Sequence, residues 1–113
     1  MPQYAVLIYS PAPADPMSIS AEYLERLESY GGQVAELGGT VAAGYALQPS
    51  TTATSVRGDV VTDGPFIEAK EVVAGFFILE AADLDTALAI AKLNPATIDG
   101  GVEVRPLFEP PAE

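Results

Sequence analysis

An α+β fold built on a four-stranded antiparallel sheet is predicted by three features of this 113-residue chain. Two β-α-β runs flank a short threonine- and valine-rich hairpin. Each run carries one amphipathic helix. Two segments, Tyr4–Tyr9 and Val72–Leu79, are apolar on both faces and belong at the centre of a sheet.

Gln3–Tyr9 is rich in β-branched and aromatic residues and reads as the first strand. Pro11, Pro13 and Pro16 stiffen the loop after it. The first helix is expected to begin near Ser18 or Ser20; with Ser20 as N-cap, Glu22 favours its positive end. Leu24, Leu27, Tyr30, Val34 and Leu37 recur at helical spacing and should face the sheet. The pair Gly31-Gly32 interrupts that stripe, marking either a close approach to the sheet or a break, and Gly38-Gly39 terminates the helix.

Thr40–Leu47 reads as a second strand, with Ala42, Gly44 and Ala46 on one face and Val41, Ala43, Tyr45 and Leu47 on the other. Thr51–Thr62 is a hairpin turning at Gly58-Asp59. Val72–Glu80 is the strongest strand. Strict alternation sends Val72, Ala74, Phe76 and Ile78 one way and Val73, Phe77 and Leu79 the other. Asp83 caps the second helix, which turns Leu84, Ala87, Leu88 and Ala91 inward, sets Lys92 near its negative end and stops at Asn94-Pro95. Val102–Pro106 is the last strand, and residues 107–113 are a tail, so the chain is expected to be one domain. This order is the split βαβ, ferredoxin-like arrangement with an inserted hairpin. Two helices cover one face of such a sheet. The apolar residues on its other face call for a second copy, giving a two-fold homodimer through the sheet face.

Composition narrows the function. The chain is 49% hydrophobic and 19% charged, so it has the material for a core. Sixteen acids against five bases give a formal charge of −11. No Lys/Arg cluster is present, so direct binding to a nucleic-acid backbone is not expected. There is no cysteine and no histidine. Thiol chemistry and zinc clusters therefore fall away, and no cofactor or metal is expected. The run Ala5–Tyr9 is too short for a signal peptide or a membrane span, which reads as a cytoplasmic protein without a membrane partner.

The candidate site residues are few. Asp63 opens the Asp-Gly-Pro-Phe run at 63–66. Its first reading is turn architecture, a carboxylate accepting backbone N–H bonds. Its second is a general acid or base at the mouth of a cleft between the hairpin and the sheet. Tyr23 is a candidate hydrogen-bond donor to a developing oxyanion, although a tyrosine on the helix face with its hydroxyl in water is the simpler reading. Arg57 is a candidate ligand anchor. Phe66 and Tyr45 are candidate aromatic contacts, with core or interface packing the simpler reading of Phe66.

The stretch "VTDGPFIEAKEVVAGFFILEAADLDTALAIAKLNP", with "QYAVLIYS" before it and "GGVEVRPL" after it, resembles the DGPF branch of the YCII-related family over nearly the whole chain. The resemblance implies a ferredoxin-like fold associating as a dimeric α+β barrel. It also implies either an accessory role beside a sigma factor or lyase- or isomerase-type chemistry on a small aromatic or polyketide-like ligand. Family members carry a His/Asp pair proposed to be catalytic. Here "EYLERL" puts Tyr23 in the histidine's place and "LNP" puts Asn94 in the aspartate's, so a His-based mechanism is excluded. The leading expectation is a dimeric accessory or small-ligand-binding protein. The alternative is an enzyme using Asp63 and Tyr23.

Overall fold

In a computed structural model, residues 1–111 are described. Six strands and two α-helices follow the order β1 (Gln3–Pro11), α1 (Ala21–Glu36), β2 (Thr40–Ala46), β3 (Thr54–Arg57), β4 (Val60–Asp63), β5 (Glu71–Glu80), α2 (Leu84–Lys92) and β6 (Gly101–Pro106). Short 3-10 turns at Pro16–Ser18, Ser50–Thr52 and Pro95–Thr97 join them. Four strands form an antiparallel sheet in the order β2-β5-β1-β6, so the two segments that are apolar on both faces lie at its centre. β3 and β4 pair only with each other, as a separate hairpin. Gly58, at φ +59°, occupies its first central turn position, where a positive φ matches the twist of the flanking strands.

The helix ends follow the capping logic. Ser20 accepts the Tyr23 N–H at 3.1 Å, and Asp83 accepts the Thr86 N–H at 2.8 Å. Gly38, at φ +81°, ends α1. The helix runs unbroken through Gly31-Gly32, and nothing lies within 4 Å of where a Cβ would stand on either residue. The close approach falls at Gly39 instead, where an added Cβ would come within 2.6 Å of the Ile90 side chain.

Both helices pack on one face of the sheet. Tyr30 and Val34 from α1 and Ala87 and Ile90 from α2 meet Tyr4, Val6, Phe77 and Leu79 in one cluster. Tyr30 packs edge-on against Phe77 with ring centroids 6.1 Å apart, and its hydroxyl donates to the Ile90 carbonyl at 2.9 Å. Not all of the predicted helix stripe is buried. Leu24, Leu27 and Leu37 of α1 stay exposed, as do Leu84 and Leu88 of α2, and Ile90 takes the central position in α2. Leu27, in the second turn of α1, lines a cleft rather than the core.

Two bulges correct the predicted faces. In β5, Ile8 pairs with Gly75 and Tyr9 with Val73, so Ala74 is an extra residue. Val73 thereby joins Phe76 and Ile78 on the face away from the helices, opposite Tyr9, Leu7 and Ala5 of β1. In β2, Val41 pairs with Leu79 and Ala43 with Ile78, leaving Ala42 extra. Val41 therefore shares its face with Gly44, while Ala43 and Tyr45 lie on the open face, where Tyr45 packs against Phe76 at 5.8 Å between ring centroids. Among the described residues no protein layer covers this open face. The molecule is a slab with extents of 49 × 42 × 18 Å. Of the expected tail, residues 107–111 carry no regular secondary structure, and residues 112–113 lie outside the described residues.

Candidate functional site

The cleft under the N-terminal turns of α1 has a volume of about 430 Å³. Ile8, Ala46 and Ala74 from the sheet form its floor, and Tyr23 and Leu27 from α1 form its roof. The proline loop forms its wall, with Pro11, Pro13 and Asp15 among the lining residues. That wall is pinned at several points. Ala12 N–H donates to the Lys70 carbonyl at 2.8 Å, Ser50 N–H to the Pro13 carbonyl at 2.8 Å, and Ala14 N–H to the Pro11 carbonyl at 2.9 Å. Ala14 holds φ +56°, a conformation that non-glycine residues rarely adopt. Asp15 caps the adjoining 3-10 turn through the Met17 N–H at 2.9 Å. The bulge at Ala74 brings a small side chain to the floor, so the cleft depends on an irregularity that no alternating pattern contains.

Tyr23 is the polar residue of the roof. Partial burial, and secondarily the negative charge of Asp99, push its phenol above the ordinary value of 10.0. It is therefore protonated and a donor across the neutral range. Asp99 also lines the cleft, and with Ser20 and Tyr23 it borders an adjoining smaller groove. Sequence reasoning missed Asp99. Its one signal was an acid directly before the Gly100-Gly101 turn that enters β6, a position equally suited to a solvated loop.

The other predicted residues lie elsewhere. Asp63 ends β4 opposite Thr54, is exposed, and lines no cavity in common with Tyr23. The sharp turn after it is held instead by Gly64, at φ +105°, whose N–H donates to the Ala53 carbonyl at 2.8 Å. Ser55 adds a bond from its hydroxyl to the Gly64 carbonyl at 2.6 Å. Phe66 is 57% exposed within one chain rather than in its core, and the Arg57 guanidinium carbon sits 4.3 Å above its ring centroid. Phe66 lines an open groove of about 790 Å³ between the hairpin and the sheet, with Tyr9, Val56 and Val73. Tyr45 lies on the open sheet face and is 63% exposed. The structure thus divides the five residues among three places: Tyr23 at the cleft, Arg57, Phe66 and Asp63 at the hairpin, and Tyr45 on the open face. Asn94, in the place of the family's aspartate, is buried and accepts the Ala96 N–H at 2.9 Å, capping the turn after α2.

The sequence pattern of the YCII-related domain matches residues 3–110. The chain belongs to the YCII-related family. Among curated proteins it is similar to an uncharacterized protein of Rhizobium meliloti (strain 1021), with 44% identity over 69 residues. That match covers 54% of this chain and 54% of the relative, so the likeness spans about half the length of each. In this YCII-related chain no helix among the described residues is long and apolar enough to cross a membrane.

Proposed function

We propose that the chain is a homodimeric small-ligand-binding protein of the DGPF branch, acting in the cytoplasm through the cleft beneath α1. The observation that carries this reading is the cleft itself. Its volume of about 430 Å³ is in the range of small-molecule sites, its walls are largely apolar, and Tyr23, Asp15, Asp99 and three serines supply its polar groups. The hydrogen-bonded proline loop gives the wall a fixed shape before any ligand arrives. Binding is favoured over turnover because Tyr23 is a phenol held protonated, and the second acid–base candidate, Asp63, lines no part of this cleft.

Homodimerisation through the open sheet face, closing a ferredoxin-like pair into an α+β barrel, draws support from surface area. One chain exposes 7637 Å². A folded monomer of 11.7 kDa is expected to expose about 5,900 Å². The excess of roughly 1,700 Å² is larger than one partner's share of a standard protein–protein interface. The half-buried apolar residues Leu7, Tyr9, Phe76 and Ile78 supply its centre. An accessory role beside a sigma factor belongs to the same reading as the family resemblance extends it, and rests on that resemblance alone.

The test is a screen of small uncharged aromatics by chemical-shift perturbation, with Leu27→Trp as the cleft-filling variant. Binders should perturb Ile8, Tyr23 and Ala74 together, and Leu27→Trp should abolish the effect while leaving the dimer intact. Perturbations confined to the groove beside Phe66 would move the ligand site to the hairpin and overturn this assignment.

A further inference from the structure

We propose that the cleft beneath α1 selects apolar molecules that carry an amine, with Asp99 as the counter-charge and the Tyr23 hydroxyl as a second polar contact. The inference rests on the ligand-binding reading above and names the ligand class of that site.

The argument begins with what the cleft lacks. None of the chain's five Lys and Arg residues lines it, so an anionic ligand would enter without a counter-charge. Arg26, which lines the adjoining groove, is already engaged by Glu22 at 3.1 Å. Two carboxylates, Asp15 and Asp99, do line the cleft. One competing feature would favour an anion, the positive end of α1, whose first turn borders the same space. A helix terminus is equivalent to roughly +0.5 elementary charge, against a full negative charge on each carboxylate, and Ser20 has already satisfied the Tyr23 N–H. The net sign at the cleft is negative.

The available polar chemistry agrees. Asp15 uses one carboxylate oxygen on the Met17 N–H, which fixes it as part of the wall. Asp99 is exposed and makes no side-chain hydrogen bond among the described residues, so its oxygens are open to a donor. Asp99 and Tyr23 line both the cleft and the adjoining groove, so the two side chains border the same space. A protonated amine beside Asp99, accepted also by the phenol oxygen, satisfies both groups at once. The remaining lining, including Ile8, Pro11, Ile19 and Leu27, suits a hydrocarbon or aromatic body.

Three probes of matched shape separate the outcomes: 2-phenylethylamine, 2-phenylethanol and 3-phenylpropionate, titrated into the wild-type chain and into Asp99→Asn at two salt concentrations. The wild type should bind the amine at least about tenfold tighter than the alcohol, and the carboxylate least of all. Asp99→Asn removes one of many negative charges, so any general attraction of the acidic surface for cations survives in it. In that variant the amine preference should fall to within about threefold of parity while alcohol binding is unchanged. Equal binding of amine and alcohol, or an amine preference that persists in Asp99→Asn, overturns the proposed selectivity and leaves the cleft as a general apolar site. Tightest binding by the carboxylate also overturns it. Failure of all three probes to bind at millimolar concentration removes both the selectivity and the cleft reading beneath it.

Discussion

Asp83 shows how a single carboxylate couples a helix end to pH. It accepts the Thr86 backbone N–H at 2.8 Å, and that bond, together with one from the Thr86 side chain, lowers its pKa below the ordinary 3.8. A carboxylate whose folded pKa is depressed adds stability that is complete above the unfolded value and is lost as pH falls through the folded one. Asn caps a helix about as well but does not titrate. Wild type should therefore melt above Asp83→Asn at pH 7, and the two should converge by pH 2. A difference independent of pH would show that the charge is not what the cap contributes. Tyr30 tests a buried contact of another kind. Its hydroxyl donates to the Ile90 carbonyl, with an Asn94 side-chain bond beside it, so Tyr30→Phe removes the buried hydrogen bond that ties α1 to α2. The expected loss in urea unfolding is about 1–2 kcal/mol. No loss would mean that water replaces the hydroxyl.

At the level of elements, the bulges separate what the sequence discloses from what it hides. Capping residues and turn glycines act locally, so Ser20, Asp83, Gly38 and the Gly58-Asp59 turn each mark their element boundary correctly. The central positions of β1 and β5 are equally legible, because only a strand buried on both sides can be apolar on both. Faces are another matter. An inserted residue leaves no mark on an alternating pattern, yet reverses every side chain beyond it. Val73, Ala74 and Val41 are misread for that one reason. The helix stripes fail differently, since periodicity gives the direction of Leu24 and Leu27 but not whether anything lies beneath them. The cleft was illegible on the same ground, for it is the space left where α1 does not touch the sheet. The bulge in β5 carries its own prediction. An added Cβ on Gly75 would stand 2.6 Å from the Tyr45 carbonyl oxygen, a backbone atom that cannot yield unless β2 shifts. Gly75→Ala should cost about 1–3 kcal/mol, with altered amide shifts along Gly44–Ala46. An unperturbed β2 would show that the two strands are not so closely apposed.

At the scale of the whole molecule, shape and surface carry the argument. A chain of this length normally has a radius of gyration of about 13 Å, whereas this one has 15.5 Å and a short axis of 18 Å. A slab one sheet and one helix layer thick leaves its second apolar face uncovered. The same two-sided apolar character that fixes β1 and β5 at the centre of the sheet is the basis of the dimer proposed above. The hairpin of β3 and β4 adds to this. An isolated two-stranded ribbon is marginal in water, and Val56, Val60 and Val61 of this one stay exposed within a single chain.

Sedimentation equilibrium of the purified chain, run beside Ile78→Lys, tests the central claim most directly. Ile78 sits near the centre of the open face, paired with Ala5 and Ala43, and a lysine there would bury an unpaired charge only if that face is covered. The account predicts twice the chain mass for wild type at micromolar concentration and the mass of a single chain for a folded Ile78→Lys. A wild-type chain that sediments as one copy, with Ile78→Lys unchanged in mass and stability, would contradict it.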